Sequence, residues 1–327
     1  MVAMPSSAWT TAAPVDIPSP GSSPDGSCGT REIITPDDLL GSRRGCAGTP
    51  TRRPEYLFAD RSLSSYDVES AALLKSACGS ASPASSMREM RSRLVALTFD
   101  AHDPARLAGF WAGVLGRVVV GDLRGALLPG SDTQVGLRFA PSGAEKVGPN
   151  RVHLHLNSTS PAGQQDTVAA ALELGAGHLD VGQLPEEGHV VVADPEGNEF
   201  CVIEPGSSFL AGCGFLGELA CDGTRQVGLF WAEALGWPLV WDEDQETAVQ
   251  SPHEGTKFAW GGPPVAPKHG RNRQRFDLTL ADGDLAAEVD RLLALGATRL
   301  GSPGDGAVEL ADPDGNGGSA GGSSSRS

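Results

Sequence analysis

From about residue 93 the chain settles into short apolar runs separated by polar turns, and the period of each run identifies its element. Residues 94–100 alternate as a strand. Asp103-Pro104 then opens a helix in which Leu107, Phe110, Trp111, Val114 and Leu115 share one face, and Gly116 stops it. Strand-like runs follow near 117–120, 125–128 and 135–139. The order then recurs. Residues 151–157 alternate, Ser160-Pro161 caps a helix carrying Val168, Ala171 and Leu172 inward, and Gly175 ends it. Further strands are expected near 178–181, 190–193 and 199–203. This domain therefore reads strand–helix–strand–strand–strand, twice. The second domain follows suit: Thr224 caps a helix with Val227, Phe230, Trp231, Ala234 and Leu235, and a later helix places Leu285, Val289, Leu292 and Leu293 on one face.

The letters repeat as well as the pattern. Asp194-Pro-Glu-Gly-Asn198 returns 118 positions later as Asp312-Pro-Asp-Gly-Asn316. Pro after Asp presets a turn, and Gly supplies the positive φ that a tight hairpin needs. Phe110-Trp-Ala-Gly-Val-Leu-Gly116 returns as Phe230-Trp-Ala-Glu-Ala-Leu-Gly236, and Asn150-Arg151 as Asn272-Arg273. A repeat of this length is a domain rather than a solenoid unit. The expected organisation is residues 1–92 as a disordered extension, 93–205 and 206–316 as homologous domains, and 317–327 as a flexible tail.

The two ends rest on composition. Ser, Pro, Gly and Ala dominate residues 1–92, with one weak helix expected at 65–77, and Met87 or Met90 is a candidate native start. After Asn316 the second domain continues Gly-Gly-Ser-Ala where the first has Glu199-Phe-Cys-Val-Ile203, so its last strand is expected to be missing and this half to be less stable.

Charge narrows the partners. The formal net charge is −16, nearly all of it on the repeated region. A surface this acidic disfavours nucleic acid and anionic membrane, and favours a cationic compound. No apolar run approaches a membrane span, and no secretory signal is recognisable. Six cysteines without a regular spacing fit reduced thiols in a cytoplasmic protein.

Paired βαβββ units, a Phe-Trp helix ending in Leu-Gly, the strand Asn150-Arg-Val-His-Leu154 and the hairpin sequence Gly197-Asn-Glu-Phe-Cys-Val202 resemble the vicinal oxygen chelate superfamily. That group includes glyoxalase I, bleomycin-resistance proteins and extradiol dioxygenases. The likeness, nearest to tandem bacterial glyoxalase-like domains, covers about residues 94–316. It implies an α+β fold in which paired modules cup a cavity. Metal-dependent members place a ligand on the first and last strands of each module. Aligned through Phe110-Trp111, those slots fall on Ala96, on Leu137 or Arg138, on His153 and on Cys201. In the second domain they fall on Leu216, on Arg275 and on nothing. Ala and Leu carry no donor and Arg cannot ligate a cation, so the resemblance implies a metal site mostly erased.

Individual residues keep two readings. His153 and His155 share one side of a strand and, with Cys201, offer a set of two nitrogens and a sulfur suited to zinc. Alternatively His153 is a hydrogen-bonded residue inside the cup and Cys201 a small buried hydrophobe. Arg275 and Asp277 replace the histidine pair, favouring an ion pair or an anionic ligand. Arg151 and Arg273 are candidates to clamp a carboxylate, or to tie loops to neighbouring acids. Trp111 and Trp231 read as core, and Asp194 and Asp312 as turn-formers. The leading expectation is a metal-free protein that binds a small molecule. A lyase, isomerase or dioxygenase using zinc, nickel or iron is the first alternative, and a non-catalytic interaction module, including a homodimer, the second. Whether the cups form within one chain or between chains stays open at this level.

Overall fold

The computed structural model describes residues 92–184, 186–280, 284–302 and 306–322. The expectations for the first 91 residues, including the helix at 65–77 and the starts at Met87 and Met90, lie outside them.

Four βαβββ modules follow one another. The first contains β1 (Arg93–Ala101), α1 (Pro104–Leu115), β2 (Val120–Asp122), β3 (Gly125–Leu128) and β4 (Gly136–Pro141). The second contains β5 (Val152–Asn157), α2 (Pro161–Glu173), β6 (Gly177–His178), β7 (Val190–Ala193) and β8 (Glu199–Ile203). The third contains β9 (Leu216–Cys221), α3 (Arg225–Leu235), β10 (Leu239–Glu243), β11 (Glu246–Gln250) and β12 (Lys257–Trp260). The fourth contains β13 (Gln274–Leu280), α4 (Leu285–Ala294), β14 (Thr298–Gly301), β15 (Val308–Ala311) and β16 (Gly317–Gly322). Most helix ends follow their sequence signals, although Thr224 stands at the start of α3 without a side-chain cap bond and donates to Asp314 instead. Asp103 accepts from Arg106 N, Ser160 accepts from Gly163 N, and Gly116 closes α1 at φ 63°. The strand expected at 117–120 begins only at Val120, because Arg117 N still bonds Ala112 O at the end of α1.

Modules do not pair with their sequence neighbours. Sheet I runs β14-β15-β16-β13-β1-β4-β3-β2 and joins the fourth module to the first. Sheet II runs β10-β11-β12-β9-β5-β8-β7-β6 and joins the third to the second. The seams are the antiparallel pairs β1–β13 and β5–β9. Each sheet therefore takes half of its strands from each domain, and one chain completes both.

A shared core lies between the sheets. Trp111 on α1 packs against Phe99 of sheet I and Phe200 of sheet II, with ring centroids 6.4 and 4.8 Å apart. Phe258 of sheet II stacks on Phe276 of sheet I at 5.2 Å. The repeated turn is bolted to this core: Trp111 Nε1 donates to Asp194 Oδ2 (3.1 Å) and Trp231 Nε1 to Asp312 Oδ2 (3.3 Å). Asp194 Oδ1 accepts from the backbone of Glu196 and Asn198, and Asp312 Oδ1 from that of Asp314 and Asn316. The two aspartates are thus turn-formers that also satisfy a buried indole N–H.

The missing last strand is corrected. Gly317–Gly322 is β16, paired parallel with β13 and antiparallel with β15, so 317–322 is not a flexible tail. Two facts explain how so poor a strand former is held. Its ladder is made of backbone groups and is flanked on both sides. In addition, the aromatic it lacks comes from the neighbouring strand. Phe200 on β8 covers Trp111 in the first domain, whereas Phe276 on β13 covers Trp231 at 4.7 Å in the second. Gly318 occupies the register position of Phe200, and a Cβ built on it would lie 3.7 Å from the Trp231 ring. The ring has moved one strand over, and Gly318 faces Trp231 in its place.

Candidate functional site

The faces of the two sheets turned away from the core carry the polar chemistry. Alternation sends Leu97, Phe99, Leu154 and Leu156 into the core, so Ala96, Thr98, His153 and His155 point to the opposite faces, where Ala96, Thr98 and His153 are buried as well. The register at each seam defines four central positions. In sheet I, Ala96 lies opposite Gly136 and Asp277, and Asp277 opposite Ser319. In sheet II, Glu218 lies opposite Lys257 and His155, and His155 opposite Cys201. The seams share a bulge, after Leu94 in β1 and after Leu216 in β9, which makes Ala96 the counterpart of Glu218.

The centre of sheet I is filled by ion pairs. Asp277 accepts from Arg138 Nε (3.1 Å), Arg124 Nη2 (2.9 Å) and Ser319 Oγ (3.0 Å). Arg138 Nη1 donates to both oxygens of Asp122 at 2.8 and 2.6 Å. Arg275 pairs instead with Asp100. The burial of Asp277 and Arg138 is offset only because both charges are paired.

The centre of sheet II holds a different set. His155 Nδ1 lies 2.8 Å from Glu218 Oε2, and Cys201 sits beside the same imidazole from the neighbouring strand. Burial works against charge on His155, but the Glu218 carboxylate and the Cys201 sulfur outweigh it and hold the imidazole up at about 10. His153, two residues away, is pushed down to about 3 by burial and by positive charge on His155 and Lys146. His189 is lowered by burial and by His155. Lys257 reaches past the cluster to donate to Phe209 O, with its ammonium 4.4 Å above the Phe209 ring. Val191, Ile203 and Leu210 surround Cys201.

The residues singled out in the sequence are thus partly brought together. His155 and Cys201 meet at one centre, and Asp277 lies at the other. His153 is displaced from the central position by two residues, as are Arg275 and Leu216, whose places go to Asp277 and Glu218. The second slot falls on Gly136 rather than Leu137 or Arg138. A two-residue slip keeps the same face, so alternation alone does not detect it. Arg151 and Arg273 serve as cross-module ties. Arg151 donates to Asp222, Asn316 and Ala266 O, and Arg273 to Glu196 and Asp100 O. Glu218 was missed although Leu216-Gly-Glu-Leu-Ala-Cys221 carries a single acid in an otherwise apolar strand, which is a readable signal. Arg124 and Asp122 had no such signal, because they lie at a turn.

The sequence matches the glyoxalase-like domain twice, over residues 96–203 and 218–318. The chain belongs to the glyoxalase-like domain family. The two matches begin at Ala96 and Glu218, the pair that the seam bulges make equivalent. No curated protein matches the chain. A glyoxalase I variant from Zea mays is similar at TM-score 0.50 and 14% identity, covering 72% of this chain and 95% of that one. A glyoxalase/bleomycin resistance protein/dioxygenase family enzyme from Burkholderia phytofirmans is 14% identical at TM-score 0.26, covering 32% of this chain and 92% of that one. The maize likeness extends to the fold and no further.

A divalent metal does not fit this glyoxalase-like chain as its side chains are arranged. The central positions of sheet I offer one carboxylate, already neutralised by two guanidinium groups. Those of sheet II offer nitrogen, oxygen and sulfur donors, but His155 and Glu218 bond each other and a lysine takes the fourth place. Among the described residues no three His, Cys, Asp or Glu side chains are placed to hold an ion together. Two clefts of about 220 and 260 Å³ open around Thr133, Gln134 and Glu254; Gly136 lines the first, and none of Glu218, Lys257, His155 and Cys201 lines either.

Proposed function

We propose that this glyoxalase-like protein binds a small molecule on the face of sheet II turned away from the shared core, without a divalent metal. One observation carries the reading. Within reach of the His155 charge, His189 Nδ1 is buried without a hydrogen-bond partner on the side of β7 that faces Cys201, and Trp241 Nε1 is likewise unpartnered where its ring meets Phe209 at 6.2 Å. A buried donor without an acceptor costs about 1–3 kcal/mol, which a ligand carrying an acceptor recovers. Apolar walls with a few convergent polar groups are the ordinary composition of a ligand site. Sheet I offers the opposite case, since its central charges satisfy each other. The acidic net charge favours neutral or cationic ligands.

The test is a thermal-shift screen of the full-length protein, in chelator-treated buffer, against neutral and cationic apolar compounds bearing a carbonyl. A stabilising compound is expected to lose its effect in Trp241→Phe and His189→Gln and to keep it in Arg124→Gln. Stabilisation that appears only after zinc, nickel or iron is added would favour the metal-dependent lyase or dioxygenase. A blank screen together with a concentration-dependent dimer would favour the interaction module.

A further inference from the structure

Of the three cysteines among the described residues, one stands apart in its surroundings. Cys221 is pushed well up by burial and by Glu218, Asp312 and Asp222, and Cys213 is raised by burial with Glu218 and Glu254 adding to it. Cys201 instead faces an imidazole. His155 lies directly opposite it on the adjacent strand, and Glu218 lies directly opposite His155 on the next, with Nδ1 and Oε2 2.8 Å apart. A thiol, an imidazole and an orienting carboxylate in that order are the parts of an activated sulfur nucleophile. A second, independent observation points to a ligand. His189 is 7% exposed, its Nδ1 has no partner, and it lies on the Cys201 side of β7, two residues before Val191, which pairs with Cys201.

We infer that Cys201, His155 and Glu218 form a thiol-addition site on sheet II whose substrate class is small apolar α,β-unsaturated carbonyl compounds. The inference deepens the proposed ligand-binding role of this face and rests on it. In the step, the Cys201 sulfur bonds to the β-carbon and the C=C π bond breaks. Its electron pair passes through the α-carbon to the carbonyl oxygen, to which the buried Nδ1–H of His189 is free to donate. The thiol gives its proton to solvent, leaving a thiolate paired with the His155 imidazolium, and the α-carbon takes a proton from that imidazolium, which solvent then replaces. The product is a thioether, and no oxidant or reductant is consumed. Glu218 acts as a positioning residue, fixing which imidazole nitrogen faces the sulfur. Cys201 is only 1% exposed, so entry requires Leu210 and Phe209 to yield. These side chains belong to the connection between β8 and β9, tethered by Asn157 Nδ2 to Leu210 O (3.3 Å) and by Lys257 to Phe209 O.

The experiment uses N-ethylmaleimide, itself an α,β-unsaturated carbonyl compound, on the native full-length chain, with site-resolved rates from mass spectrometry. Cys201 is expected to react faster than Cys213 and Cys221. His155→Gln should slow Cys201 by an order of magnitude or more, and Glu218→Gln should slow it less. Leu210→Ala should accelerate Cys201, which keeps the test decisive if a central variant fails to fold. Prior chelation should change nothing. Equal rates at the three cysteines, protection of Cys201 until global unfolding in both wild type and Leu210→Ala, or unmasking by chelator would each overturn the inference. A ligand that stabilises the Cys201→Ser protein would leave the binding role standing while the addition chemistry falls.

Discussion

Arg138 Nε donates to Asp277 Oδ2 across 3.1 Å, tying β4 of the first module to β13 of the fourth at the centre of sheet I. Both side chains are almost fully buried, so each charge depends on the other. Asp277→Ala should cost about 3–5 kcal/mol by leaving Arg138 Nε buried without its acceptor and the guanidinium with only the more exposed Asp122 as counter-charge. The double variant Arg138→Met/Asp277→Leu should recover most of that loss. Urea unfolding of the three proteins checks this, and a double variant no more stable than the single would contradict it.

The seams make a prediction about dissection. Because β1 meets β13 and β5 meets β9 across the seams, each domain alone exposes two further sheet edges. Residues 1–205 and 206–327, produced together as separate chains, should co-purify as a one-to-one complex in size-exclusion chromatography with light scattering. Two independent, stable monomers would refute the pairing.

Aromatic exchange can be tested at Gly318. Phe placed there while Phe276 remains should overfill the space beside Trp231 and cost about 1–3 kcal/mol. Phe276→Leu/Gly318→Phe copies the first domain, where Leu154 and Phe200 hold these positions, and should restore part of the stability. The thermal midpoints of the two variants decide the matter.

Two histidines shift in opposite directions, and the pH dependence follows. His155, raised to about 10, keeps a proton that the unfolded chain releases near 6.5. Its contribution is whole below that pH and drains away as pH climbs toward 10. His153, lowered to about 3, refuses a proton that the unfolded chain accepts, so stability falls as pH drops from about 6.5. Urea midpoints should therefore peak near pH 6.5, with a limiting slope of about 1.4 kcal/mol per pH unit for one proton. His155→Gln should flatten the alkaline limb, and an unchanged limb would count against the assignment.

Helix caps, the Asp-Pro-x-Gly-Asn turns and the repeat were legible because each depends on neighbours in sequence. Asp103, Ser160 and Gly116 do locally what their residue types demand. Partner strands were not legible: alternation fixes which face His155 points to, but not that Glu218 stands opposite. β16 was misread because composition describes side chains, whereas Gly317–Gly322 is held by backbone groups and by a phenylalanine on another strand. The histidine slot slipped by two residues for the related reason that the Phe-Trp helix, used as the anchor, leaves strand register unset.

Metal analysis of the full-length protein, purified without chelator, bears most directly on whether the two central clusters act as an ion-pair network and a thiol–imidazole–carboxylate set. Zinc, nickel and iron are expected far below stoichiometric amounts, and unchanged in His155→Gln and Cys201→Ser. A stoichiometric ion that either substitution removes would contradict the account.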